Sequence, residues 1–237
     1  MLSIKNLSVK VNGKKILRGI DLEIRKGETH ALLGPNASGK TTLAQAIMGF
    51  PGYAVASGEI CFGGKDIASL AIEERVKLGI ALAFQHPPAV KGVTLSNLLG
   101  KISKRTVKTE EFIANPKLLG REINVGFSGG ERKLSEIMQI VGLSPKLVVF
   151  DELDAGLDLK NLAKLARIIK GKLLENGVSL LLITHRGEIL RFLEPDIVHV
   201  MLDGKIICSS DDWRKVWRTI GKFGYEKCKE CEFSSGR

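Results

Sequence analysis

The sequence predicts an α/β protein with a parallel-sheet core, an antiparallel β layer and an inserted helical lobe, and three observations predict it. Short apolar runs at residues 80–84, 147–150 and 180–183 are interleaved with helix-like stretches, the pattern of parallel strands covered on both faces. Apolar and polar residues alternate on either side of Asn12-Gly13, a hairpin signature. The octet Gly34-Pro35-Asn36-Ala37-Ser38-Gly39-Lys40-Thr41 stands between a strand-like Ala31-Leu32-Leu33 and a helix-like stretch at 42–48. That is a phosphate-binding loop in strand–loop–helix context, which makes the class a P-loop NTPase fold.

The leading β layer comes from Leu2, Ile4, Leu7, Val9 and Val11 before the turn and from Ile20, Leu22 and Ile24 after it. In the octet, small residues let successive backbone N–H groups curl around phosphate oxygens, and the dipole of the helix behind them favours negative charge. Gly34, Pro35, Asn36, Ala37, Ser38 and Gly39 form the cradle, Lys40 reaches the phosphates, Thr41 ligates Mg²⁺, and Thr42 opens the helix. This spacing names a nucleotide but no reaction.

Beyond the octet come a strand at 58–62, a helix at Ile72–Leu78 and the buried strand that ends before Gln85. Between Gln85 and Ser128 the pattern changes to proline, glycine and short helical pieces, around Leu95, Leu98, Leu99 and Ile102 and again at 109–112, with no strand run. Residues 86–146 therefore read as the inserted helical lobe, entered at the Pro87-Pro88 break, and residues 1–85 and 147–237 as the nucleotide-binding core. At the far side of the lobe, Ser128-Gly129-Gly130-Glu131 is a capping box ahead of a helix with Leu134, Ile137, Met138 and Val141 on one face. Two flexible glycines at a helix N-terminus also make a bare anion site, so both readings stand.

The run at 147–150 places Asp151 and Glu152 at the carboxyl end of a buried strand, where ligands bind in open parallel sheets. Beside a phosphate loop, Asp151 holds Mg²⁺ and Glu152, pointing elsewhere, polarises the attacking water as general base. Adjacent acids at a strand end otherwise serve as a turn or helix cap. His185 ends the next buried strand near the same site, where a lone histidine is otherwise a satisfied structural group. The chain then predicts a short helix at 188–193, strands at 197–202 and 205–208 joined at Asp203-Gly204, and a last helix at 213–220 capped by Asp211 or Asp212.

With 237 residues the chain buries a substantial core as one domain or one domain with a lobe. No apolar run approaches the roughly 20 residues that span a bilayer, and Met1-Leu2-Ser3-Ile4 enters a strand pattern rather than a signal peptide. A soluble cytoplasmic protein with no membrane segment of its own is expected; work at a membrane would need another subunit. The net charge of +10 is mostly interspersed with acids along helix-like stretches, so no direct nucleic-acid binding is expected. Lys101, Lys104, Arg105 and Lys108 would form one basic stripe on a helix, either a solvated face or a docking site for an acidic partner. Cys61 and Cys208 read as small buried hydrophobes. Cys228-Lys229-Glu230-Cys231 has no second ligand pair nearby and reads as an exposed tail rather than a metal site, and Ser234-Ser235-Gly236-Arg237 reads as linker.

Taken in order, the octet, Gln85, Ser128-Gly129-Gly130-Glu131, Asp151-Glu152 and His185 resemble the motif set of ABC-type ATPases. The resemblance implies ATP and Mg²⁺ as cofactors. It implies that Gln85 ligates Mg²⁺ and couples the site to the lobe, and that His185 contacts the γ-phosphate and Glu152. It assigns Ser128, Gly129, Gly130 and Glu131 to the γ-phosphate of ATP held by another copy's phosphate loop, hence an ATP-dependent head-to-tail homodimer. Ala155-Gly156-Leu157-Asp158 resembles the loop that crosses that dimer interface. The family commonly stacks adenine on an aromatic ahead of the phosphate loop, where this chain has no Phe, Tyr or Trp, so Val11 or Ile16 serves instead. Ala37 stands where glycine is usual.

Along nearly its full length the chain is similar to the ATPases of the SUF iron–sulfur cluster assembly system, the SufC-like chains. Carrying this are the stretches 53–60, 84–87, 124–131, 151–158 and 195–200. Transporter ATPases typically place proline and then threonine or serine where Leu153 and Asp154 stand, whereas SufC-like chains usually have Ser-Asp. The resemblance implies that ATP-driven dimerisation strains a SufB-like, or SufB/SufD-like, scaffold through the lobe at 85–99, which is shorter here than in many such chains. An ATP-binding subunit of a membrane transporter is the alternative. A non-hydrolytic nucleotide-gated clamp is the third reading, opposed by the intact Glu152 and by the lack of coiled-coil heptads between Gln85 and Ser128.

Overall fold

Strands β1 (Leu2–Val11) and β2 (Lys14–Ile24) form the hairpin around Asn12-Gly13, Asn12 taking φ 49 and Gly13 φ 77 as the tight turn requires. The computed structural model describes residues 1–103 and 116–229. After β3 (Thr29–Leu33) the chain turns through the octet into α1 (Lys40–Met48) and returns along β4 (Tyr53–Phe62) and the short β5 (Lys65–Asp66), giving a four-stranded sheet of order β2-β1-β4-β5.

Helix α2 (Ile72–Leu78) leads to β6 (Ile80–Ala83), and the segment expected as the lobe follows with β7 (Val90–Thr94), α3 (Leu95–Ile102), β8 (Glu122–Ile123) and α4 (Gly129–Leu143). The core resumes with β9 (Leu147–Asp151), α5 (Leu159–Lys172), β10 (Ser179–Thr184), α6 (Leu190–Leu193), β11 (Ile197–Leu202), β12 (Lys205–Ser210) and α7 (Trp213–Phe223). The main sheet runs β12-β11-β3-β10-β9-β6, parallel except for β12.

The continuous apolar strands are explained by their two faces. Ala31, Leu33, Val148, Phe150, Leu180 and Leu182 pack into the core under the helices α4 to α7. Leu32, Val149, Leu181 and Ile183, alternating with them, pack into a second core against α1 and the antiparallel layer. Helix α1 is fastened by Arg75, whose buried guanidinium donates to the carbonyls of Ala46 (2.8 Å) and Ile47 (2.9 Å) at its C-terminal end and to Ala68 and Leu70. The same guanidinium makes Gly49 obligatory, because a Cβ there would stand 2.7 Å from it.

Four expectations are corrected. The segment read as free of strands contains the two-stranded β7-β8 pair, too short and too polar to show a period of two. The strand expected at 58–62 begins at Tyr53, since β1 supplies its pairing and its outer face stays exposed. Cys61 is only half-buried for the same reason. Cys228 is buried rather than exposed, because the single 3-10 turn Tyr225–Lys229 after α7 folds back onto the core. Cys231, the basic residues Lys104, Arg105 and Lys108, the stretch 109–112 and the last four residues lie outside the described residues. Among the described residues, no helix is long and apolar enough to cross a membrane.

Candidate nucleotide site

The parallel register brings the loops of interest to one end of the sheet. Leu33 pairs with Thr184, Ile183 with Asp151 and Phe150 with Ala83, so the residues that follow β3, β6, β9 and β10 emerge side by side. A cleft of about 780 Å³ opens there, large enough for a nucleotide. Asn36, Ala37, Gly39, Lys40, Thr41, Thr42, Gln85, Glu152 and His185 line it, together with Val11 and Ile16 from the hairpin. Gly34, Pro35 and Ser38 form the loop's under-surface rather than the cleft wall.

Two backbone features shape the loop. Gly39 has φ +111, and a Cβ on Gly34 would stand 2.4 Å from the Met201 carbonyl, so neither position tolerates a side chain. Ala37 adopts φ 64, which explains why glycine suits that position and shows that the loop closes without it. The Lys40 ammonium donates to the carbonyls of Gly34 and Pro35, both at 2.8 Å, and burial lowers its pKa. Ser38 Oγ is buried beside Gly34 beneath the loop, with no hydrogen-bond partner among the described residues.

The acids are arranged around the same end. Asp151 is buried, its carboxyl pushed up by burial, and it accepts a hydrogen bond from the Thr41 hydroxyl at 3.4 Å. A buried carboxylate beside a threonine hydroxyl and a phosphate loop fits a Mg²⁺ ion, the hard cation that oxygen donors take. Glu152 sits at φ 54, an uncommon backbone state for a non-glycine residue, and its N–H donates to the Ile183 carbonyl at 2.9 Å. Its two carboxylate oxygens are divided between partners: Gln85 Nε2 at 2.5 Å and His185 Nδ1 at 3.0 Å. The general-base candidate, the glutamine and the histidine thus form one triad in the cleft.

Ser128, Gly129, Gly130, Glu131 and Asp158 do not line this cleft. Ser128 and Glu131 form the reciprocal capping box of α4, and Asp158 caps α5 by accepting the Asn161 N–H at 2.8 Å. A Cβ on Gly130 would lie 3.8 Å from the Asn161 side chain, so the signature glycines and the segment around Asp158 adjoin one another on a separate surface.

Tyr53 lines the cleft as well, and like Asn12, Lys14 and Ala155 the sequence reading did not assign it to the site. It follows the octet in the chain yet lies directly opposite Val11, its antiparallel partner in β1. The hairpin-like alternation of β1 carried the needed signal only once β4 was known to pair with it.

A family model described as "ABC transporter" matches residues 17–155. "Vegetative protein 296" of Bacillus subtilis is 39% identical over 88% of this chain and 86% of its own length. A "probable ATP-dependent transporter" of Synechocystis sp. is 42% identical over 88% of this chain and 89% of its own. The crystal structure of a nucleotide-free ATP-binding cassette from an ABC transporter matches with a TM-score of 0.79 and 26% identity, covering 96% of this chain and 98% of that one. Motif order, the P-loop fold and these likenesses agree: the chain belongs to the ABC transporter family and is an ATP-hydrolysing ABC ATPase.

Proposed function

We propose that this ABC ATPase is SufC-like, hydrolysing MgATP to drive iron–sulfur cluster assembly on a soluble SufB-like scaffold. The observation that carries the reading is Asp154. It is buried, and both its carboxylate oxygens accept the Thr184 hydroxyl, at 2.9 and 2.8 Å, directly between the Glu152 and His185 loops. Transporter ATPases typically carry threonine or serine there, and the resemblance to SufC-like chains supplies the aspartate. Leu153, buried in the helical core, is this chain's own choice where those chains usually have serine.

In the proposed cycle the phosphate loop binds the triphosphate, with Lys40 released from the Gly34 and Pro35 carbonyls onto it. Val11, Ile16 and Tyr53 take the base. Thr41, Asp151 and Gln85 would hold Mg²⁺, which would supply neutralisation of phosphate charge. Glu152 orients and deprotonates the attacking water, and His185 contacts the γ-phosphate. The surface bearing Ser128, Gly129, Gly130, Glu131 and Asp158 caps the ATP of a second copy, which is why it stands apart from the cleft of its own chain. Closure of the two copies moves the lobe, and the bound scaffold with it.

An ATP-binding subunit of a membrane transporter is the second reading, favoured by the names of relatives such as the "probable ATP-dependent transporter ycf16" of Antithamnion sp., 40% identical over 95% of this chain. Affinity capture of the tagged protein from soluble and detergent-solubilised fractions separates the two. A soluble SufB-like partner that raises ATP hydrolysis is expected. An integral membrane partner would sink the assembly reading and establish the transporter one.

A further inference from the structure

The residues after β10 carry the histidine that faces Glu152, and their backbone is held from outside the cleft. Thr184 Oγ1 accepts the N–H groups of Arg186 (3.1 Å) and Gly187 (3.0 Å) while donating to Asp154. From α7, Trp217 Nε1 donates to the Arg186 carbonyl at 3.1 Å. Gly187 has φ +72, and a Cβ there would stand 2.8 Å from the Trp217 ring. Tyr225, in the turn Tyr225–Lys229, donates its hydroxyl to the His185 carbonyl at 2.9 Å.

We propose that Tyr225 is a positioning residue for ATP hydrolysis, its hydroxyl tying the loop that carries His185 to the turn after α7. The His185 side chain is half-buried and among the described residues is held by Glu152 alone, so its placement depends on its own backbone. The Tyr225 hydroxyl on the His185 carbonyl fixes that backbone, and with it the place of the imidazole in the cleft. Tyr225 packs against the helical core and Cys228 on the same turn is buried in it, which gives that hydroxyl a rigid mount. Because a misplacement of about 1 Å costs on the order of 10²-fold in rate, releasing this tie slows chemistry without emptying the cleft.

The inference rests on His185 acting at the γ-phosphate, and the test separates the two. Tyr225→Phe keeps the ring and removes the hydroxyl. We expect its kcat to fall roughly 5- to 10-fold with KM for ATP nearly unchanged, and to fall no further when the same change is made in His185→Ala. An unchanged kcat in Tyr225→Phe overturns the proposal, as does an equal loss in both backgrounds, which would mean that the residue acts through packing alone. Wild-type turnover in His185→Ala removes instead the reading of His185 beneath it. Should Tyr225→Phe melt below the assay temperature, Trp217→Phe tests the same support one residue along: about a two- to threefold loss of kcat at constant KM is expected, and no loss overturns it.

Discussion

Glu136 accepts the backbone N–H of Phe84 at 2.6 Å, from a helix that begins at the signature glycines to the residue just before Gln85. Lys133, one turn earlier on α4, donates to the carbonyl of the same residue at 2.6 Å. Both backbone polar groups of Phe84 are therefore gripped by α4, so movement of α4 carries the residue before Gln85 with it.

That grip is sensitive to pH. Burial pushes the Glu136 carboxyl up to about 7, against the attraction of Lys133. The folded chain then keeps a proton that the unfolded chain releases near pH 4.5, so this group's contribution is fully present at low pH and is lost as pH rises through about 7. Glu136→Gln has no such proton. Between pH 5 and 8 the wild type is expected to lose up to roughly 3 kcal/mol relative to the variant, measured by urea unfolding. Parallel pH profiles for the two would discount the buried carboxyl.

Replacing Glu152 by glutamine retains a hydrogen-bonding side chain for Gln85 and His185 but removes the carboxylate proposed as general base. Hydrolysis is expected to fall by roughly 10²- to 10⁴-fold while ATP binding survives and a dimer accumulates. Phosphate release and light scattering in the presence of MgATP read the two effects. Near-normal turnover would remove Glu152 as general base.

What the sequence made legible was local. The octet, the Asn12-Gly13 turn, the Ser128 capping box and the Asp212 cap are each written in a few consecutive residues, and each is found where its chemistry demands. The strand-end placement of Gln85, Asp151, Glu152 and His185 was legible too, because buried parallel strands are continuous apolar runs with abrupt polar ends. The pieces that needed tertiary pairing were not. Tyr53 reaches the cleft only through β1–β4 pairing, and the Glu136–Phe84 bond joins residues 52 apart. Tyr225 meets His185 across 40 residues, and the cysteine-bearing tail hid a buried turn behind a hydrophilic composition.

A buried histidine pair is a further long-range feature and predicts acid sensitivity. His199 Nδ1 pairs with Ser209 Oγ (2.7 Å), His199 Nε2 with His30 Nδ1 (2.9 Å), and His30 Nε2 with Glu28 (3.0 Å), a chain that closes with both rings neutral and breaks when both are protonated, since two N–H groups would then face each other. Burial pushes His199 down to about 3, and burial also lowers His30 despite Glu28 and Asp196. The unfolded chain takes up protons near pH 6.5 that the folded chain refuses, so stability is present above that pH and drains as pH falls toward 3. His199→Gln should show a shallower loss of melting temperature between pH 6.5 and 4. An equally steep loss in the variant would assign acid unfolding to other groups.

Tyr53 answers the missing aromatic ahead of the phosphate loop. It lines the nucleotide cleft beside Val11 and Ile16 and is the aromatic side chain on that wall, mounted on the strand paired with Val11. Stacking of a base on an aromatic ring is worth about 1–3 kcal/mol, so Tyr53→Ala should raise KM for ATP by roughly 5- to 100-fold. Because the base is remote from the γ-phosphate, the interaction is made equally in ground and transition states, and kcat should stay near wild type. Tyr53→Phe, which keeps the π face, should restore most of the affinity. The measurement is a steady-state titration with ATP on all three proteins: an unchanged KM in the alanine variant would return base recognition to Val11 and Ile16, and a fall in kcat would mean that Tyr53 acts on the cradle instead.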